Sequence, residues 1–263
     1  MNVIHPTSII SNKAKIDEST NIGPYCVIGD NVRIGKNNNI MSHVSILGHT
    51  TIQDQNIFFP HASIGTTPQD LKFNNEKSFL EIGSFNKFRE NVTVNPGTKA
   101  GGLKTIIKDN CLFMVGSHIA HDCKINSNVI LANNATLAGH VEIDDNAIIG
   151  GNSAIHQFVR IGKYSMIGGM SGVEKDIIPY GLYIGIRENL KGINLIGLKR
   201  KGLDNQIINK INSVITSVFN NNNVITKNIL NINNQDKQIE EIKEIISFIE
   251  NTSKRGICYL VNE

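Results

Sequence analysis

The amino-acid sequence predicts a mainly β protein in which a parallel β-helix is followed by a small α-helical domain. One aliphatic or aromatic residue recurs every six positions over most of the chain, a period that neither a helix nor an ordinary strand produces. Glycine often follows that residue, as in Ile22-Gly23 and Ile161-Gly162. The six-residue period fades after Val173, where helical spacing replaces it. A hexapeptide repeat of this kind is typical of a β-helix, in which each repeat is one short strand and a turn.

The repeat has two runs, and in each the recurring apolar residue is expected to point into a shared core. The first run consists of Ile4, Ile10, Ile16, Ile22, Ile28, Ile34, Ile40, Ile46, Ile52, Phe58 and Ile64, and resumes at Ile82, Phe88 and Val94. The second run consists of Ile107, Phe113, Ile119, Ile125, Leu131, Leu137, Ile143, Ile149, Ile155, Ile161, Ile167 and Val173. The following glycines suit tight corners, where positive φ or a close backbone approach is needed.

Two excursions interrupt the repeat. Residues 65–81 keep the phase, whereas residues 95–106 shift it by one. Both are predicted to be loops that leave the coil. In repeat proteins such insertions map to the working surface.

The C-terminal part predicts two amphipathic helices. Asp204 is a candidate N-cap for the first, whose apolar stripe runs to Phe219. Asn220–Asn223 is the expected turn, and the second stripe consists of Ile239, Ile242, Ile245, Ile246 and Ile249. We therefore predict a β-helix over residues 1–186 and a helical domain over residues 187–263, which would at least cap the last coil.

Composition restricts the class of protein. The four cysteines form no CxxC pair, which fits a reducing compartment, and neither a signal peptide nor a membrane-spanning apolar run is recognisable. These features predict a cytoplasmic protein with no integral membrane segment. The net charge of +3 arises entirely within residues 187–263, an excess too small to favour nucleic-acid binding.

Histidines gather on one edge of the predicted β-helix. Three hexapeptides make one triangular coil of 18 residues, so residues 18 apart stack roughly 4.8 Å from one another. One column consists of His121, Gly139 and Gln157, and the neighbouring column consists of Asp122, His140 and Phe158. His118 and His156 flank these columns.

This edge is the candidate site for chemistry. Imidazole is the usual general base near neutral pH, and Gly139 would leave open space over His121. The Gly139 N–H could face a developing oxyanion. A metal site and a group of solvated turn histidines are the alternatives. The sequence contains no nucleophile elbow or serine triad motif, which favours direct transfer over a covalent acyl-enzyme.

Several motifs carry a family resemblance. They are His118-Ile-Ala-His-Asp-Cys123, Ile130-Leu-Ala-Asn-Asn-Ala-Thr-Leu-Ala-Gly-His140, Ile149-Gly-Gly151, Ala154-Ile-His-Gln-Phe158, Gln69-Asp70-Leu71-Lys72, Gly169 and Gly197-Leu-Lys-Arg-Lys-Gly202. Together they closely resemble the acyl-[acyl-carrier-protein]–UDP-N-acetylglucosamine O-acyltransferases. The resemblance covers essentially the full length, and its motifs are specific to that family rather than to hexapeptide proteins in general.

The resemblance implies a homotrimer of left-handed parallel β-helices with an active site between neighbouring subunits. The donor would be an (R)-3-hydroxyacyl thioester on acyl carrier protein. The acceptor would be the 3-hydroxyl of UDP-N-acetylglucosamine, and the reaction would open lipid A biosynthesis. No cofactor or metal is implied. The residues themselves leave open the acyl length and whether the acceptor carries a 3-hydroxyl or a 3-amino group.

The same resemblance suggests residue roles. His121 would be the general base, Asp122 would orient or support it, and Gly139 would help to stabilise the oxyanion. Contacts to the sugar nucleotide and the thioester arm would come from Gln69, Asp70, Lys72, His118, His140, His156 and Gln157. Asn194 and Arg200 would contact the nucleotide and its phosphates, and Gly169 would limit acyl length.

Three positions depart from the family pattern. Pro68 stands where the motif often has Asn, and Ile196 replaces a common Glu. Lys201 replaces the second Arg of Lys-Arg-Arg-Gly, which keeps the charge but loses the planar fork.

Other functions compete with this interpretation. A γ-type carbonic anhydrase would place zinc on His118, His121 and His140, although the stacking of Gly139 on His121 and the long basic helical tail argue against it. The sister N-acyltransferase of the pathway carries an extra N-terminal domain, whereas the repeat here starts at residue 4. A non-catalytic scaffold would leave the histidines unexplained.

Overall fold

The computed structural model describes residues 4–186, 189–219, 225–251 and 253–260. Its first part is the predicted parallel β-helix. The strands are β1 (Ile9–Ile10), β2 (Lys15–Ile16), β3 (Asn21–Ile22), β4 (Val27–Ile28), β5 (Arg33–Ile34), β6 (Asn39–Ile40), β7 (Ser45–Ile46), β8 (His49–Ile52), β9 (Ile57–Phe58), β10 (Ser63–Ile64), β11 (Phe79–Ile82), β12 (Lys87–Phe88), β13 (Thr93–Val94), β14 (Lys104–Ile107), β15 (Leu112–Phe113), β16 (His118–Ile119), β17 (Lys124–Ile125), β18 (Ile130–Leu131), β19 (Thr136–Leu137), β20 (Glu142–Ile143), β21 (Ile148–Ile149), β22 (Ala154–Ile155), β23 (Arg160–Ile161), β24 (Met166–Ile167), β25 (Gly172–Val173), β26 (Gly181–Tyr183) and β27 (Leu190–Ile193).

Every third strand joins the same sheet, so three sheets form the faces of a triangular prism. Sheet 1 runs from β1 to β25 and sheet 2 from β2 to β23, while sheet 3 starts at β3 and ends with β24, β26 and β27. Neighbouring strands pair in parallel, except that β26 and β27 are antiparallel. This architecture is consistent with a left-handed parallel β-helix.

The apolar repeat forms the core, as predicted. Ile119 stacks on Leu137 in sheet 1, and both side chains are fully buried. In sheet 3 the rings of Phe58, Phe88 and Phe113 stack with centroids 4.8 Å apart. Burial of one such side chain stabilises the fold by roughly 1.5–3 kcal/mol. The exceptions lie at the N-terminal end of the repeat, where Ile4 is 52% exposed and Ile10 and Ile16 are half-buried.

Both excursions leave the coil, but they rejoin it earlier than the sequence suggests. The first lengthens its coil to 30 residues and the second lengthens the next to 25. Residues 79–81 and 104–106, predicted as loop, extend β11 and β14 into four-residue strands. The reason is that β11 pairs with β8 on one side and β14 on the other, which satisfies its backbone hydrogen bonds.

The corner glycines mostly serve close approach rather than positive φ. A Cβ at Gly23 would lie 3.0 Å from the backbone carbon of Met41. The left-handed corner positions are instead filled mainly by other residues, such as Asn128, Asp122 and His140, with φ near 60°. Asn, Asp and His are among the residues that tolerate this conformation best.

Four helices lie in the C-terminal part of the described chain: α1 (Leu195–Arg200), α2 (Asn205–Phe219), α3 (Ile225–Leu230) and α4 (Glu240–Glu250). Two 3₁₀ turns span Lys99–Gly101 and Asp236–Gln238. The prediction of α2 and α4 is confirmed, and Asp204 caps α2 by accepting the Ile207 N–H at 2.9 Å. The helices α1 and α3 were not predicted, because six residues are too few to show an amphipathic period.

Two predictions fall on residues that the structure does not describe. The turn at Asn220–Asn223 lies outside the described residues, and so does the start of the second domain at position 187. The boundary therefore stays a prediction. Within the described ranges, none of the helices combines the length and apolarity needed to cross a bilayer.

Candidate active site

The histidine edge lies where the chain turns from sheet 1 into sheet 2. His118 is the first residue of β16, and His121 and Asp122 form the turn that leads to β17. On the next coil His140 donates its N–H to the His121 carbonyl at 2.9 Å, and on the coil after that Phe158 bonds the Gly139 carbonyl at 3.2 Å. The two columns predicted from the 18-residue spacing are therefore present.

His121 and Asp122 form a buried pair on this edge. The His121 Nδ1 lies 2.8 Å from the Asp122 Oδ2, and the two residues are only 6% and 4% exposed. A carboxylate only accepts hydrogen bonds, so Nδ1 carries the proton of this bond. The neutral imidazole then presents an unprotonated Nε2, the atom that a general base uses.

Thr98 clamps the Asp122 carboxylate from the opposite side. Its N–H donates to Oδ1 at 2.9 Å, and its hydroxyl donates to Oδ2 at 2.6 Å. The Asp122 N–H in turn bonds the Thr105 hydroxyl at 2.8 Å. Gly97 allows this approach, because a Cβ there would come within 2.7 Å of Oδ1. The second excursion thus builds the support of the histidine–aspartate pair.

The clamp keeps the carboxylate ionised. Burial acts to raise the pKa of Asp122, but hydrogen bonds from His121 and Thr98 outweigh burial and hold the pKa below its usual value. Asp122 therefore remains negatively charged at neutral pH and can stabilise an imidazolium at His121.

The position of the His121 ring requires a glycine at residue 139. A Cβ at position 139 would lie 2.6 Å from the His121 Nε2, so any other residue would displace the imidazole. The sequence predicts open space over His121, whereas the ring itself occupies that space. The Gly139 N–H bonds no other residue in the described part of the chain, which leaves it free to donate to a ligand.

Two further histidines face the pair. The His140 ring meets the His121 ring edge-on at 5.1 Å and stacks on Phe158 at 4.3 Å. Burial lowers the pKa of His140 and, with the nearby His121, that of His118. Both rings are therefore neutral near pH 7. The His118 Nδ1 pairs with the Thr93 hydroxyl at 2.7 Å, which fixes its ring.

The possible metal ligands in the structure differ from those that the carbonic anhydrase alternative predicts. Ligand atoms of His121, Asp122 and His140 lie within 4.8 Å of one another, but His118 is not part of this group. Asp122 already accepts hydrogen bonds from Thr98 and His121. Among the described residues of one chain, His118, His121 and His140 thus do not form the three-histidine set that a carbonic anhydrase would share between subunits.

The first excursion brings the acidic side chain of Asp70 near the histidines. Asp70 lies near enough to His140 to act against the lowering of its pKa. Its carboxylate accepts the Lys72 N–H at 3.0 Å, while Gln69 and Lys72 are exposed. The Asn95 side chain donates to the Thr66 carbonyl at 3.0 Å and so ties the two excursions together.

Asn194 and Arg200 lie on another face. They line a groove of about 520 Å³ on sheet 3, together with Tyr164, Ile196 and Lys201. Asn194 caps α1 by accepting the Gly197 N–H at 3.0 Å. Sheet 3 is the face opposite the edge between sheets 1 and 2, so one chain does not bring these residues to His121.

Gly169 lies on a third part of the prism. It occupies the turn from β24 to β25, which is the edge between sheets 3 and 1, and a Cβ there would lie 3.3 Å from the Gly151 carbonyl oxygen. His121 and Gly169 thus border the same sheet from opposite sides. An acyl chain that reached both would cross the outer face of sheet 1, where His118, Thr136, Ala154 and Gly172 succeed one another.

Sequence reasoning missed several residues of this site. Thr98 and Thr105 lie in the excursion that shifts the phase, so no 18-residue spacing links them to Asp122. Arg255 contacts His156 and Gln157 from about a hundred residues away. A single basic residue near the end of a chain carries no signal of such a contact.

Comparisons with known proteins identify the family of the chain. Residues 176–258 match the family described as UDP N-acetylglucosamine O-acyltransferase, domain 2, and residues 104–139 match the bacterial transferase hexapeptide. The acyl-[acyl-carrier-protein]–UDP-N-acetylglucosamine O-acyltransferase of Thermodesulfovibrio yellowstonii is 46% identical over 98% of this chain and 100% of its own length. That of Rickettsia bellii is 47% identical over 97% of this chain and 91% of its own length.

Solved structures of the same family superpose closely. LpxA from Acinetobacter baumannii has a TM-score of 0.93 at 40% identity, over 97% of this chain and 98% of that one. The UDP-N-acetylglucosamine acyltransferase from Campylobacter jejuni has a TM-score of 0.91 at 36% identity, over 98% and 99%. The chain therefore belongs to the acyl-[acyl-carrier-protein]–UDP-N-acetylglucosamine O-acyltransferase family.

Proposed function

We propose that this chain transfers an (R)-3-hydroxyacyl group from acyl carrier protein directly to the 3-hydroxyl of UDP-N-acetylglucosamine, the first step of lipid A biosynthesis. Family membership gives the coarser reaction, acyl transfer from the carrier protein to the sugar nucleotide. The observation that carries the finer proposal is the buried His121–Asp122 pair, whose ring packs against Gly139, a residue whose N–H bonds no other residue in the described part of the chain.

The geometry supports the following sequence of steps. His121 Nε2 takes the proton of the sugar hydroxyl as its oxygen attacks the thioester carbonyl. The Gly139 N–H donates to the oxyanion of the tetrahedral intermediate. Asp122 stabilises the imidazolium that forms. Collapse of the intermediate releases the thiolate of the donor arm, which recovers the proton from His121.

The cysteines support transfer without an acyl-enzyme. Burial raises the pKa of Cys111 and Cys123 to about 12 and that of Cys258 to about 11, and Cys26 is raised as well. All four side chains are buried. A nucleophilic cysteine needs an accessible thiolate, which these residues do not provide.

The test of the function is mass spectrometry of the products formed from a ladder of acyl-carrier-protein thioesters and UDP-sugars. We expect one product, UDP-N-acetylglucosamine with the acyl group at its 3-oxygen, and intact-mass spectra of the enzyme without an acyl adduct. Acylation only of a 3-amino sugar would refute the proposed acceptor, and a stable acyl adduct on the protein would refute direct transfer.

We further propose that the protein is a homotrimer with shared active sites. The support is that Asn194 and Arg200, the residues expected to hold the nucleotide, lie on the face opposite His121. A neighbouring copy in a closed ring would bring its groove to this edge. Asp70, in contrast, lies beside His140 of its own chain, so it does not require a neighbour.

A mixing experiment tests this arrangement. Trimers that contain only His121→Ala or only Arg200→Ala subunits should be weakly active. Each mixed trimer should regain one of its three sites, or roughly a quarter of all sites in a random equal mixture, because each site draws one residue from each of two neighbours. As a control, coexpression of His121→Ala with Asp70→Ala should restore no active site, because His121 and Asp70 of one site come from the same chain. A fully active monomer in analytical ultracentrifugation would contradict the trimer.

A further inference from the structure

The segment 253–260 extends the stack of coils on the histidine edge. Ile257 forms a parallel bridge with Asp176, and the bridge between Ile161 and Ile177 places Asp176 in register with Arg160 of β23. The Asp176 N–H bonds the Gly256 carbonyl at 2.9 Å, and the Cys258 N–H bonds the Asp176 carbonyl at 2.8 Å. This segment is thus a fixed additional layer on sheet 2, next to the edge that contains His121, His140 and Phe158.

Arg255 reaches from this layer to two residues of the candidate site. Its Nε donates to the Gln157 carbonyl at 2.7 Å, and its guanidinium also contacts the His156 Nδ1. A guanidinium has only donors, so Nδ1 of His156 is the acceptor and its Nε2 carries the proton. Arg255 therefore fixes the tautomer of His156, and its five N–H groups exceed what these two contacts use.

Lys254 adds a second cation at the same place. Its Nζ lies 4.9 Å from the centre of the Phe158 ring, which itself stacks on His140. The side chain is exposed, and its charge contributes to lowering the pKa of His140. The Lys175 Nζ lies 5.8 Å from the centre of the Tyr259 ring, and the acids that act on His140 are Asp122 and Asp70.

We propose that Lys254 and Arg255 bind the phosphate group of the donor's phosphopantetheine arm. This inference rests on the proposed function, in which two phosphate-bearing substrates meet at His121. The cation expected to meet the nucleotide phosphates, Arg200, lies in the sheet 3 groove. The cations on the histidine edge itself are therefore left for the other substrate. The planar guanidinium of Arg255 beside the compact ammonium of Lys254 suits a phosphate dianion or diester.

The experiment compares two small donors that differ only in the phosphate: acyl-phosphopantetheine and acyl-pantetheine. With Arg255→Ala we expect KM for acyl-phosphopantetheine to rise by about 10- to 100-fold, the usual effect of losing charge-assisted hydrogen bonds. KM for acyl-pantetheine and for UDP-N-acetylglucosamine should change little. Lys254→Ala should show the same pattern with a smaller rise, and because Lys254 is exposed this variant should fold normally. Arg33→Ala, an exposed cation on β5, is the matched control.

Three results would overturn the inference. An equal loss with both donors would mean that Arg255 only positions His156 and Gln157. A rise in KM for UDP-N-acetylglucosamine would assign the cations to the nucleotide. Unchanged constants in both variants would mean that no phosphate binds there. Each result presupposes that the wild-type enzyme acylates UDP-N-acetylglucosamine, so a failure of the proposed function is seen first and separately.

Discussion

His121→Ala is expected to lower kcat by roughly 10²–10⁴-fold, the usual contribution of a positioned general base. The substitution removes the imidazole whose Nε2 lies next to Gly139 and whose Nδ1 is held by Asp122. KM for either substrate should change much less, because the neighbouring His118, His140 and His156 remain. Steady-state kinetics with acyl carrier protein thioester and UDP-N-acetylglucosamine measure the effect.

Stability should distinguish loss of the base from loss of the fold. His121 lies on a turn rather than in the inward column of Ile119 and Ile125, and Asp122 keeps its bonds to Thr98 without it. The thermal midpoint should therefore shift little. His61→Ala is a matched control, since this exposed histidine lies on the edge between sheets 3 and 1. A His121→Ala enzyme with wild-type kcat would disprove the assignment.

The sequence predicts this fold well because each coil repeats the same constraint. An apolar residue every six positions and a coil of 18 residues fix the register, and with it the neighbours of His121 and His140. The same spacing rule places Gly139 against His121 from the sequence alone. Where the period holds, side-chain contacts on the edge follow from position alone.

The remaining contacts of the site could not be predicted, because they are made by segments that lack the six-residue repeat. Thr98 reaches Asp122 from an excursion whose path is set by its own glycines, such as Gly97, and not by the repeat. Arg255 reaches Gln157 because a late segment bridges Asp176. Gly169 shows a subtler limit: the spacing gives its coil, but the corner it occupies becomes clear only when the turns are assigned to sheets.

Asp122→Asn is expected to lower kcat by on the order of 10²-fold or more, although it removes no atom of the base. The amide oxygen can still accept the Thr98 N–H, which turns the amide nitrogen toward the His121 Nδ1. A donor at that place requires an unprotonated Nδ1, so the proton moves to Nε2 and the base is lost. A wrong tautomer of this kind costs a serine protease about 10⁴-fold. Thr98→Val, which removes one donor and keeps the shape, should cost less.

The pH dependence of stability distinguishes the effect of the charge on Asp122 from the effect of its shape. The folded pKa of Asp122 is lowered, so its contribution is fully present above the unfolded pKa near 4 and is lost as pH falls through the folded value. Wild type should therefore lose stability on acidification below about pH 4 more steeply than Asp122→Asn, whose amide does not titrate in this range. Parallel unfolding curves for both proteins from pH 5 down to pH 2 would show that Asp122 is not held ionised by Thr98 and His121, and the loss of kcat would then need another cause.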